Sequence, residues 1–343
     1  MNLLRGPGRG RAFIRFLFAI AWLAVATFLA DRAAHGFTPG AGFPLVRNLF
    51  EIFLLMIGYS YMGLAWDNVR EPIRAMGLGP RPGAADEFAL GAAMGWAMVT
   101  AVFLIIAVAG HFYVQLWTAA AAWKLLVLNI ATLATTSLAA EIAFRGYPFQ
   151  KLIQAVGPIA ATLIAGAVFA LLMLRNSAAT PTAMWISGMA AVLLSVGYIR
   201  TQALWLAWGL HFSWLAGIAI LFGQPLAGNR EASSVIRTYA DGPTWLTGGE
   251  YGPEASVVAL LVLWIGLYAL MRVTTGLATR TNAVLERRPT GEWKPAEAWN
   301  PAGASVDEGH PAPPISPAAP NPGEHVVESP PEETAKLKDN RGL

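Results

Sequence analysis

The stretch Leu138–Gln150 reads L-A-A-E-I-A-F-R-G-Y-P-F-Q, and it closes a long apolar run. A carboxylate, Glu141, and a guanidinium, Arg145, therefore stand at the edge of a membrane-spanning segment. Ionisable groups are costly in that position and mark function by default. Four residues apart on a helix, the two can pair. By themselves they read equally well as a pin that neutralises itself at a helix end and as part of a site.

The chain around this stretch is too apolar for a soluble domain: 55% of its 343 residues are hydrophobic and only 13% are charged. Several runs reach the roughly 20 residues that cross a bilayer, so the chain reads as a polytopic membrane protein whose first partner is lipid. Its formal net charge of +3 comes from basic residues clustered between the apolar runs. There they report orientation, and no nucleic-acid partner is expected. Cysteine is absent, which excludes disulfides, thiolate metal sites and cysteine nucleophiles. Of the five histidines, His310 and His325 lie in the tail, so a multi-histidine metal site is hard to assemble and no cofactor is expected.

Working outward, the pattern predicts an all-α transmembrane bundle of about eight spans. Arg5, Arg9, Arg11 and Arg15 flank a first run from about 13 to 30. Signal peptides and anchors share this order, and a run longer than the usual signal core of about 7–15 residues favours an anchor. The second span covers roughly 47–66, with Arg47 and Glu51 spaced for a local pair. The next loop carries Arg70, Arg74 and Arg81, and Arg272, Arg280, Arg287 and Arg288 follow the last span. The positive-inside rule then places both termini in the cytoplasm.

The third span, about 88–109, contains Gly91 and Gly95, a small-xxx-small spacing read as packing. An aromatic link through His111, Phe112, Tyr113 and Trp117 leads to the fourth span, which starts near Ala119 and ends in the opening stretch. On it Asn129, Thr132 and Thr136 share one face, while Ser137, Glu141 and Arg145 share another. Spans five to eight cover 157–174, 181–199, 203–222 and about 255–271. Ser187, Ala191 and Ser195 form a small-residue stripe, again read as packing. His211 is the one histidine deep within an apolar run, as a buried neutral imidazole or as a site residue.

Between spans seven and eight lies G-P-T-W-L-T-G-G-E-Y-G-P-E, Gly242–Glu254, too polar and too broken to lie in lipid. It is expected outside, folded over the bundle. The bundle is expected over 1–280. Residues 281–343 fill with proline, including Pro311, Pro313 and Pro314, and are expected to form a disordered cytoplasmic tail.

Three segments, A-E-I-A-F-R-G at 140–146, V-F-A-L-L-M at 168–173 and L-W-L-A-W-G-L-H-F-S-W-L at 204–215, resemble the motifs of the CPBP intramembrane proteases. That family groups the CAAX prenyl endopeptidases with bacterial homologues linked to bacteriocin processing and immunity. The Y-I-R-T-Q-A-L-W-L approach to His211 and the W-L-T-G-G-E-Y-G-P-E loop agree with it, and the resemblance covers about 88–275. The loop and the absence of a eukaryotic-style targeting signal suggest a bacterial inner membrane.

The family pattern has two adjacent glutamates and an arginine, then phenylalanine with a histidine four residues on, then histidine with asparagine or aspartate four residues on. The first glutamate and first histidine are taken to activate water, and the last pair to stabilise the oxyanion. Participation of a metal is disputed. Carried over, the resemblance assigns Glu141, Arg145, Phe169 and His211, with Glu141, Arg145 and His211 as the candidate catalytic residues. The first glutamate is Ala140, the second-motif histidine is Met173 and the final asparagine is Leu215. Alanine, methionine and leucine supply neither a base nor an oxyanion donor, contributions worth about a hundredfold or more each.

The sequence reading is therefore a CPBP-like membrane protein impaired in catalysis that binds a membrane-associated or prenylated peptide or protein. The alternative is an active intramembrane endopeptidase with a rearranged Glu/His site. Transport has less support, since no repeat of two halves and no paired broken helices are present.

Overall fold

The computed structural model describes residues 8–37, 40–176 and 179–275. The expected tail over 281–343 lies outside them. Each of the eight apolar runs forms a helix, because an apolar run with few internal breakers satisfies its backbone polar groups internally only in that way. The helices α1 (Arg9–Phe37), α2 (Phe43–Asp67), the short α3 (Pro72–Ala75) and α4 (Ala84–Ala109) come first. A strand, β1 (His111–Leu116), precedes α5 (Ala120–Arg145), α6 (Tyr147–Val156), α7 (Pro158–Leu172), α8 (Pro181–Thr201) and α9 (Trp205–Ala216). After β2 (Ile236–Asp241) and the single turn α10 (Thr244–Thr247), α11 (Val257–Val273) completes the described chain.

This is the all-α membrane bundle that the composition demands. Among the described residues six helices are long and apolar enough to cross a bilayer. The helix Trp205–Leu221, which ends in a π-helical turn, and Val257–Val273 are shorter apolar helices in the seventh and eighth places.

Boundaries follow local chemistry. Thr180 caps α8 by accepting the Ala183 N–H at 3.1 Å, with Pro181 at the first helical position. Ser256 caps α11 through the Ala259 N–H at 3.0 Å. The chain breaks at Gly146, where Pro148 supplies no N–H, so α5 ends and the amphipathic α6 sets off as a separate helix.

One segment differs from its sequence reading. The aromatic link after the third span is not a plain connection: β1 pairs antiparallel with β2, His111 opposite Asp241 and Leu116 opposite Ile236. The partner strand lies far along the chain, so no hairpin turn announces the pair.

The core divides into two apolar clusters. One joins α4, α8, α9 and α11 through Val99, Leu193, Leu206 and Leu263. The other joins α1, α2, α5 and α6 through Ala19, Leu55, Ile142 and Phe149. Within the first, α4 and α9 pack backbone against backbone: a Cβ on Gly91 would meet the Leu206 carbonyl at 2.1 Å, and one on Gly209 the Phe88 carbonyl at 2.2 Å. The Gly91/Gly95 spacing is thus a packing device. Within the second, Asp67 closes α2 onto its neighbours, binding Arg15 of α1 together with Lys151 Nζ and the Tyr147 hydroxyl of α6, both at 2.8 Å. The predicted Arg47–Glu51 pair is present at 3.3 Å, with Thr27 of α1 donating to Glu51 at 2.7 Å.

Candidate functional site

Helix α5 belongs to one cluster and α9 to the other, and the site forms where they meet. The polar residues of α5 divide as the helical period requires. Asn129 donates to the carbonyls of Glu231 and Ala232, and Asn48 of α2 donates to Thr136 at 2.7 Å. Ser137, Glu141 and Arg145 face inward, each 0% exposed.

Glu141 and Arg145 pair within the membrane-spanning region. Arg145 Nη1 donates to Glu141 Oε1 at 3.2 Å. The same oxygen lies 2.8 Å from His211 Nδ1, and in the tautomer that carries its proton on Nδ1 the imidazole donates this bond. Arg145 Nη2 donates to the Ala191 carbonyl at 3.2 Å, and the guanidinium lies 5.1 Å from the centre of the Phe169 ring. A guanidinium against an aromatic face is a favourable desolvated contact. Three fully buried polar atoms, Glu141 Oε2, Arg145 Nε and Ser195 Oγ, have no partner among the described residues.

The loop before α11 supplies a second layer. Trp214 lies one turn beyond His211 on α9, and its indole N–H donates to Glu254 Oε1 at 3.1 Å. Glu254 Oε2 accepts the Ala227 N–H at 3.1 Å, and the His211 charge acts on the same carboxyl. Beside it the Tyr251 hydroxyl donates to Met173 Sδ at 3.3 Å. Loss of hydration pushes the Glu254 carboxyl above its ordinary range, opposed by the Trp214 and Ala227 hydrogen bonds and by His211. Burial, with the Glu254 charge adding to it, pushes the Tyr251 hydroxyl up to about 12. The loop can fold this tightly because Gly248 and Gly252 have φ of 80° and 103°. A Cβ on Gly252 would also meet the Pro225 carbonyl at 2.3 Å.

The structure thus brings Glu141, Arg145 and His211 together, with Phe169 against the guanidinium. Met173 lies under Tyr251, Ala140 is half-buried, and Leu215 packs on the apolar cluster of α9. Sequence reasoning missed Glu254, Tyr251 and the use of the Ala191 carbonyl. The signal for Glu254 was a carboxylate placed directly before an apolar helix in a loop expected to fold over the bundle. The Ser187, Ala191 and Ser195 stripe read as packing alone, and its middle residue in fact receives Arg145.

The arrangement can orient an imidazole and pair a carboxylate with a guanidinium. A metal does not suit it: His211 Nδ1 is taken by Glu141, and Glu141 Oε1 is shared with Arg145. Among the described residues no three His, Cys, Asp or Glu side chains converge as ligands.

Residues 120–216 match the family model described as Type II CAAX prenyl endopeptidase Rce1-like. The matched segment runs from α5 to α9 and holds Glu141, Arg145, Phe169, Met173, His211 and Leu215, bearing out the CPBP resemblance. No curated protein gives a match. No solved structure gives one either.

Proposed function

We propose that this CPBP-type integral membrane protein, of a bacterial inner membrane, binds a membrane-associated or prenylated peptide or protein and is impaired in cleaving it. One observation carries the reading. The positions that would supply a water-activating base and an oxyanion donor are Ala140, Met173 and Leu215, while the remaining carboxylate, Glu141, already serves Arg145 and His211 through one oxygen. Activation of water at an amide needs a base in hydrogen-bond reach of that water, and the other Glu141 oxygen, Oε2, is fully buried in the bundle. The retained scaffold, the buried ion pair and the docked loop support recognition in the absence of hydrolysis.

The test uses purified protein in lipid vesicles and a panel of membrane-associated peptides, some prenylated, carrying a photo-crosslinking group. The expected result is a crosslinked complex with intact peptide. Cleavage that disappears in Glu141→Ala would contradict it.

A second reading, endopeptidase activity built on Glu141, Arg145 and His211, is favoured by one feature, the 2.8 Å contact that orients the imidazole. It requires Glu141→Ala and His211→Ala each to abolish cleavage while expression and folding are retained.

A further inference from the structure

The strand pair β1–β2 has an apolar face that the bundle covers only in part. Side chains alternate along a strand, so Phe112, Val114 and Leu116 share one face of β1, while His111, Tyr113 and Gln115 share the other. Phe112 shows which face looks inward: its ring stacks on Phe103 of α4 at 4.5 Å, and both Phe112 and the residue opposite it, Ala240, pack on the apolar cluster of α4 and α9. Val114 and Leu116 lie on that same face farther along the strand and are 57% and 67% exposed. The opposite face is polar and aromatic, setting His111 against Asp241, Tyr113 against Tyr239 and Gln115 against Arg237. The ribbon is therefore amphipathic. Its ends are tied to two membrane-spanning helices, since only Gly110 separates β1 from α4 and only Trp117, Thr118 and Ala119 separate it from α5.

We propose that β1 and β2 form an interfacial ribbon that lies on the lipid surface and inserts Val114 and Leu116 at the boundary of headgroups and acyl chains. The occupant is lipid because the exposed apolar side chains of the ribbon continue those of the spans on either side of it: Leu104 and Val108 on α4 before β1, Trp123 and Val127 on α5 after it. Trp117 is half exposed, and the Arg237 guanidinium lies 5.5 Å from the centre of its ring. An amphipathic ring beside a cation suits the headgroup level, where apolar side chains of interfacial segments reach about 5–10 Å deep. The ribbon also holds the segment that follows α9: the Thr238 N–H donates to the Gly223 carbonyl at 2.9 Å, and the Thr238 carbonyl accepts from Gln224 at 3.2 Å and from Arg230 at 3.1 Å. Seating on lipid thereby fixes the start of the loop whose far end carries Glu254. This inference goes beyond the proposed function and stands under either of its readings, because lipid contact is measured with no peptide bound or cut.

The absence of cysteine makes the test direct, because a single introduced cysteine takes a fluorophore at one known place. Tyr113→Cys, Val114→Cys, Gln115→Cys and Leu116→Cys are each made in the full chain, labelled with a nitrobenzoxadiazole dye and reconstituted in phosphatidylcholine and phosphatidylglycerol vesicles. All four side chains are exposed, so the labels replace no buried packing. Each label is quenched in turn by iodide from water and by a nitroxide carried high on the lipid acyl chain. The expected result alternates with the strand period: labels at 114 and 116 respond to the lipid-borne quencher at least about twofold more than those at 113 and 115, and iodide gives the reverse order. Equal access of iodide to all four labels would mean that the ribbon stands off in water, and it overturns the proposal. Labels at 114 and 116 that are shielded from iodide yet untouched by the lipid-borne quencher would mean that protein, such as a second copy of this chain, covers the face, and that result overturns it as well.

Discussion

Removing Arg145 tests the buried pair that organises the site. Both partners are 0% exposed, and the guanidinium makes three contacts: Glu141 Oε1 at 3.2 Å, the Ala191 carbonyl at 3.2 Å and the Phe169 ring at 5.1 Å. Arg145→Met conserves much of the volume but leaves the Glu141 charge supported by His211 alone. Breaking one side of a buried pair costs about 3–5 kcal/mol, roughly a hundredfold to several-thousandfold in the ratio of folded to unfolded protein. Glu141→Gln alone strands the guanidinium and costs a similar amount. The double variant, Glu141→Gln with Arg145→Met, strands neither, so its loss falls short of the sum of the two singles by more than about 1 kcal/mol. The assay is unfolding in mixed micelles titrated with dodecyl sulfate, followed by tryptophan emission. An Arg145→Met variant within about 0.5 kcal/mol of the natural protein, or strict additivity, would refute the coupled pair.

Other consequences are open to measurement. Gly209→Ala puts a methyl 2.2 Å from the Phe88 carbonyl and should split α4 from α9, seen as loss of a monodisperse peak in detergent, whereas Gly10→Ala, with nothing within 4 Å, should leave the peak unchanged. Asp67→Asn leaves Arg15 and Lys151 facing each other without a counter-charge and should speed protease nicking around α6. The folded-state pKa of the Glu254 carboxyl is raised, so its contribution to stability is full below the ordinary carboxylate range and is lost as pH rises through the raised value. The thermal midpoint should therefore carry a fall with rising pH in that window, and Glu254→Gln should flatten it.

Much of this was legible in the sequence, for identifiable reasons. Helix positions follow from apolar length, and the inward face of Ser137, Glu141 and Arg145 follows from the helical period. The Glu141–Arg145 pair was readable because its partners are four residues apart on one helix. The His211–Glu141 contact joins residues far apart in sequence and came only through the motif resemblance. Nothing local could announce β1, whose partner strand follows five helices later, or Glu254, whose role depends on where the loop lands. The carbonyl of Ala191 was invisible for a different reason: a backbone acceptor has no sequence signature, and in a stripe of small residues it is open to any guanidinium that reaches it.

The most direct test of the central claim compares the natural protein with a variant carrying Ala140→Glu, Met173→His and Leu215→Asn, both in vesicles with one panel of membrane-associated peptides. The account predicts that the restored variant cuts and the natural protein does not. Cleavage by the natural protein that is lost in Glu141→Ala would contradict it and move the chemistry to Glu141 and His211.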